Sequence, residues 1–218
     1  MYEDEEAGAG GLAWAFLAAI VAGSIVAAIA LAVVPRGPQN WPWAFGRAAG
    51  LVAMLLISAA GLLGLWQSHP WSRRHPVISR PVVNRLHVLL VVFTLCFVLA
   101  HVVALSLDPY AQVGIIGALV PGASTYRPLP VALGTLALYA GLLTGITAAL
   151  GPRIGRRIWL PIHRGAAIVL ALGWIHGVLA GSDTPQLRLL YAGIGLSLLV
   201  LAATRYMATT PGRARAGP

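Results

Sequence analysis

Lysine is absent from this 218-residue chain, and only six residues are acidic. Charged residues make up 10% of the sequence against 58% hydrophobic, and the mean hydropathy is +0.81. So little charge excludes an ordinary water-soluble surface and places the chain among membrane proteins. Cysteine occurs once, as Cys96, which excludes an intrachain disulfide. A lone thiol in an apolar helix acts as a small hydrophobe. Four of the six acids are Glu3, Asp4, Glu5 and Glu6. A secretory signal would open with positive charge, so the first apolar run is expected to stay uncleaved. No Gly-rich dinucleotide motif is present, so the chain is not expected to oxidise a nicotinamide by itself. All 15 basic residues are arginine, and the net charge is +9. In such a chain this charge sets membrane orientation and is not read as a nucleic-acid surface. The choice of arginine over lysine fits a GC-rich coding sequence better than it fits any function.

What remains is mostly apolar runs long enough to span. A span needs about 20 apolar residues. Six runs qualify, at 12–34, 44–66, 84–106, 131–150, 158–180 and 187–207. They predict an all-α integral membrane protein, a six-helix bundle over 12–207. The acidic segment 1–11 precedes it and a tail, 208–218, follows. Little chain is left for a soluble catalytic domain. Arg73, Arg74, Arg80, Arg85, Arg153, Arg156, Arg157, Arg164, Arg205, Arg213 and Arg215 fall on one side. Arg36, Arg47, Arg127 and Arg188 fall on the other. The bias puts the arginine-rich loops and both termini in the cytoplasm of a plasma (inner) membrane protein.

Run 12–34 is rich in small residues and reads as packing. Trp41 and Trp43, among Pro35, Pro38 and Pro42, are placed as interfacial anchors. The stretch AQVGIIGALV within 107–130 is too short to cross, and is expected along the interface or over the outer end.

The chemistry lies in four histidines. His87 and His101 stand 14 residues apart in RLHVLLVVFTLCFVLAHVVAL, and His163 and His176 stand 13 apart in IHRGAAIVLALGWIHGVLAG. An ionisable side chain in hydrocarbon is expensive and marks function by default. Both runs cross in the same direction, so His87 pairs in depth with His163, and His101 with His176. Neutral imidazole is an axial ligand for haem iron, and a low-spin carrier takes one histidine from each side. The arrangement suits two b-type haems, the inner on His87 and His163, the outer on His101 and His176. At 1.5 Å rise the levels lie roughly 20 Å apart, close enough for tunnelling between haem edges. Fourteen helical residues leave His87 and His101 about 40° apart in phase, whereas thirteen leave His163 and His176 roughly 140° apart. Pro161 places His163 in a first turn, where irregular geometry absorbs the mismatch. That mismatch keeps a single-haem reading open. A proton relay or metal transport also stays open, as does a transporter or scaffold that uses the histidines for protons or packing. A divalent-metal path would call for carboxylates, and none lies inside a run.

Other candidates are secondary. Arg47, one turn inside its run, could snorkel to the headgroups or hold an anionic haem propionate. Arg85 and Arg164 flank the inner ligands and suit propionates bidentately. His69 and His75, in the basic 67–84 loop, read as solvated. Phe93, Phe97 and Trp174, beside the ligand levels, read as packing or as part of an electron path.

The elements FGRAAGLVA at the start of run 44–66, NRLH and LAH in 84–106, and W-x-x-x-H-R with H-G in 158–180 resemble the ferric reductase-like transmembrane domain superfamily. That superfamily includes NADPH oxidases, ferric reductases and the bacterial haem-binding subunit MsrQ. The resemblance covers about residues 44–180. It implies the same four haem ligands, with Arg47 by the outer haem. It further implies a separate cytoplasmic flavoprotein or a quinol as electron donor. The outer-face acceptor would be ferric iron, oxygen or an exported reductase. A single-haem MsrQ-like subunit is the other form it allows. A bound flavin mononucleotide is also allowed, although no residue here calls for one.

Overall fold

The computed structural model describes residues 41–75 and 78–209. Among the described residues the only regular secondary structure is helical. Five helical stretches among them are long and apolar enough to cross a membrane, Arg156–Ala180 being counted as one although it breaks at Gly165. The predicted run 12–34, the acidic segment 1–11 and the chain beyond 209 lie outside the described residues.

Helix α1 spans Trp41–Ser68, and a short α2 spans Pro70–Arg74. Helix α3 spans Arg80–Leu107, and a short α4 spans Gly114–Leu119. Helix α5 spans Pro128–Ala149, followed by the single turn α6 at Gly151–Ile154. Then come α7 at Arg156–Arg164, α8 at Ala166–Ala180 and α9 at Thr184–Thr209. Prolines punctuate them. Helices α1 and α3 stop just before Pro70 and Pro109, because the residue preceding proline is pushed out of the helical region. Helices α3 and α5 carry proline in their first turn, where the missing N–H costs nothing. The run AQVGIIGALV yields only the six-residue α4. Thr135 Oγ1 donates to Ala118 O at 3.0 Å, and the Tyr139 hydroxyl to Leu119 O, which hold α4 on α5.

Hydrocarbon cannot hydrogen-bond a stray hydroxyl, so buried ones turn back on their own helix. Ser58 donates to Met54 O and Thr94 to Leu90 O, both at 2.7 Å. Large exposed apolar side chains such as Leu99, Leu143 and Leu199 suit a lipid surround rather than water.

Packing pairs α1 along α3, and α5 along α8. The two pairs meet chiefly through α1 and α8, and α9 leans on α1. Helix α3, which bears His87 and His101, packs chiefly on α1, and α7 and α8, which bear His163 and His176, pack chiefly on α5; α1 and α5 both carry glycines. The short helices α2 and α6 mark an arginine-rich end. At the opposite end lie the loop 108–127 and the turn 181–183. There, Arg127 donates to Leu179 O at 2.7 Å and the Tyr126 hydroxyl to Ala180 O at 3.1 Å. These satisfy carbonyls that the last turn of α8 leaves open.

Candidate functional site

The four membrane histidines meet in the two expected pairs. The ring centroids of His87 and His163 are 6.2 Å apart, with planes at 79°. Those of His101 and His176 are 6.1 Å apart, also at 79°. His87 and His163 lie towards the arginine-rich end, and His101 and His176 towards the opposite end.

Three of the rings are held by one local device. His101 Nδ1 lies 2.7 Å from Gly46 O, and a Cβ on Gly50 would fall 2.6 Å from that same nitrogen. His87 Nδ1 lies 3.0 Å from Ala60 O, and a Cβ on Gly64 would fall 3.3 Å from its Cε1. His176 Nδ1 lies 2.7 Å from Pro130 O, and a Cβ on Gly134 would fall 2.7 Å from Nδ1. In each case the glycine follows the accepting carbonyl by four residues. A helical carbonyl points towards residue i+4. A ring that reaches the carbonyl therefore lies against that residue's α carbon, leaving no room for a Cβ at Gly50 and Gly134 and only a tight fit at Gly64.

These bonds decide the chemistry of the rings. A carbonyl can only accept, so Nδ1 carries the proton and donates. In a neutral imidazole Nε2 then keeps a bare lone pair, the arrangement that orients a metal-ligating histidine. At the His101–His176 level both rings are held this way. Neither Nε2 carries a proton, so the two cannot hydrogen-bond to each other. The pair is suited to an electrophile between them. The centroid separations of 6.2 and 6.1 Å would leave room for a metal held between two imidazole nitrogens at about 2 Å from each. Among the described residues no group of three or more His, Cys, Asp or Glu side chains could hold a bare metal ion. Two imidazoles alone suit a metal whose other ligands travel with it, as in a porphyrin.

His163 stands apart. Its Nδ1 is buried and has no hydrogen-bond partner among the described residues. The Trp159 ring packs edge-on to it with centroids 5.5 Å apart. Pro161 was expected to open the helix, with His163 in its first turn. Instead the helix opens at Arg156, Pro161 is internal, and His163 falls in the last turn of α7. The chain breaks after it, at Gly165. There the bonds tighten to three-residue steps, Gly165 N–H to Ile162 O at 2.8 Å and Ile168 N–H to Gly165 O at 2.9 Å. Such a step turns the chain by about 120° per residue rather than 100°. The break at Gly165, rather than a loose first turn, is where the backbone departs from regular helix between His163 and His176.

Arg47 sits beside the His101 level, next to Gly46 in α1. Its guanidinium forms an ion pair with Asp183 and lies 3.9 Å from the centroid of the Trp43 ring. Trp43 in turn meets Tyr110 edge-on at 5.5 Å. Asp183, in the α8–α9 turn, was not a candidate in the sequence because it lies outside every apolar run. Arg85 and Arg164 are exposed at the arginine-rich end. Phe93 is 43% exposed. Trp174 packs against Tyr191 of α9, ring centroids 6.4 Å apart.

The glycines were also missed, since small residues are common in membrane helices for other reasons. A signal was nevertheless present. Gly50 and Gly64 are fourteen residues apart, the same step as His87 to His101 on the antiparallel neighbour.

In comparisons with known proteins, no family model matches the chain, and no curated protein or solved structure matches it. The fold itself defines the class: among the described residues, an all-helical arrangement with five helical stretches of membrane-crossing length and character, and two imidazole pairs stacked along them.

Proposed function

We propose that this chain is a haem-b membrane oxidoreductase subunit of the ferric reductase-like kind, carrying single electrons from one membrane face to the other. The observation that carries the reading is the His101–His176 pair, two rings 6.1 Å apart between centroids, each with Nδ1 tied to a backbone carbonyl so that Nε2 is left free to bind a metal. His87 and His163 nearly repeat that spacing at the other level. Bound there, haem would supply a one-electron iron couple at each level.

The protein's part is to hold and tune. The carbonyls of Gly46, Ala60 and Pro130 fix the ring tautomers and make the imidazoles better donors. The lipid-facing helices keep water and other oxidants from the path. Arg47 engages Asp183 through a terminal nitrogen and keeps a buried Nε–H without a partner among the described residues, suited to a propionate. Arg85 and Arg164 would serve the inner propionates. The arginine bias orients the His87–His163 level to the cytoplasm, towards a flavoprotein or quinol donor, and the His101–His176 level to an outer acceptor.

The test is electron transfer across a sealed bilayer. Proteoliposomes holding ferricyanide are given a membrane-impermeant reductant outside. Haem-loaded protein is expected to bleach the enclosed ferricyanide many-fold faster than empty vesicles. Bleaching no faster than in empty vesicles would overturn the reading.

A further inference from the structure

We infer that the His163 position is an exchangeable ligand site, at which a small neutral diatomic molecule binds the inner haem iron in place of the histidine. This rests on the haem reading above and adds to it a ligand class and a single location.

The argument is the asymmetry among four otherwise equivalent rings. His87, His101 and His176 each have Nδ1 tied to a carbonyl and a glycine beneath the ring. His163 has neither among the described residues. The register explains why. On α1 the accepting carbonyl and the glycine recur after fourteen residues, as Gly46 to Ala60 and Gly50 to Gly64. The same step along α5 leads from Pro130 to Thr144 and from Gly134 to Ala148. Position 148 thus carries a methyl where the device requires none. The Thr144 carbonyl already accepts the Thr147 hydroxyl at 3.1 Å.

His163 is also on the least anchored of the helices that carry these rings. Helix α7 has nine residues, none of them buried, with Pro161 inside it and the Gly165 break directly after it. Among the described residues no hydrogen bond to Nδ1 fixes the direction of its Nε2 lone pair. Loss of such an outer hydrogen bond weakens metal binding by roughly 10- to 100-fold. His163 is therefore the ligand that leaves, and His87 the one that stays. The exchange breaks one iron–nitrogen bond and forms one iron–ligand bond, with no change of electron count. The Trp159 ring lies against His163. The ligand class follows from the metal: a reduced haem iron would take an uncharged π-acceptor such as carbon monoxide, nitric oxide or oxygen.

The test uses the full-length haem-loaded protein, reduced with dithionite and mixed with carbon monoxide. The expected result is a carbonyl spectrum for one haem of the two. Its formation rate should level off at high carbon monoxide, limited by His163 dissociation. In His163→Ala that ceiling should vanish and the rate should rise in proportion to carbon monoxide. Protein with two haems, neither binding carbon monoxide, would overturn the inference and leave the haem reading standing. So would carbon monoxide bound at the haem that His101→Ala removes. Because the first readout is on the natural chain, a variant that fails to fold does not decide the matter. Folded protein supplied with haem that binds none would overturn both readings.

Discussion

At the residue scale, the site depends on what three glycines lack as much as on what four histidines carry. A Cβ on Gly50 would sit 2.6 Å from His101 Nδ1, nearer than ordinary packing allows. Gly50→Ala is expected to displace the His101 ring and lower haem content by about one per chain, at a stability cost of about 1–3 kcal/mol for the overpacking. Gly145→Ala, where a Cβ would meet nothing within 4 Å, is expected to leave haem content unchanged. Haem counts on the two purified variants decide this, and equal loss in both would remove the special role of Gly50. The Arg47–Asp183 pair is a different case. Its side chains are 25% and 49% exposed, so Asp183→Asn is expected to shift thermal stability by no more than about 1 kcal/mol. A loss of several kcal/mol would show that the pair has a larger part in the fold.

The element scale shows which features of the chain could be read in advance. The apolar runs at 44–66, 84–106, 131–150 and 187–207 each became one continuous helix, extended by two to four residues at most ends. Long apolar periodic segments are legible because hydrocarbon leaves helix as the only open-chain way to satisfy the backbone. The pairing of histidine levels was legible too, because it needs only rise per residue and direction of crossing. The break at Gly165 was not, since IHRGAAIVL reads as uninterrupted and the strongest visible signal, Pro161, pointed to the wrong place. Proline was accommodated near the middle of α7 while the chain yielded at glycine. This predicts a local effect for Gly165→Ala, whose Cβ would fall 2.9 Å from Ile162 O. The haem at the His87–His163 level is expected to be lost or altered in its reduced-state spectrum, with the His101–His176 level intact. Identical disturbance of both levels would mean that the break serves the whole bundle.

At the scale of the whole molecule, the account is of two helix pairs, α1 with α3 and α5 with α8, facing each other through imidazoles. The gap between α3 and α8 and the locked tautomers could not be read from the sequence. Both arise from glycines and backbone carbonyls on other helices, far away along the chain. The proposed orientation, by contrast, rests on arginine counts alone. It predicts that a single cysteine at Ser72, in a Cys96→Ser background, reacts with an impermeant thiol reagent only from the cytoplasmic side, and one at Ser182 only from outside. The reverse pattern would invert the direction of electron flow. The central claim, two haems on two histidine pairs, is met most directly by counting haem in the natural chain and two variants. A reduced-minus-oxidised spectrum with a haem-to-protein ratio is taken for the natural protein, His87→Ala and His101→Ala. The account predicts a b-type α-band with two haems per natural chain and one in each variant. A full complement in either variant, or no α-band in folded, haem-supplied natural protein, would contradict it.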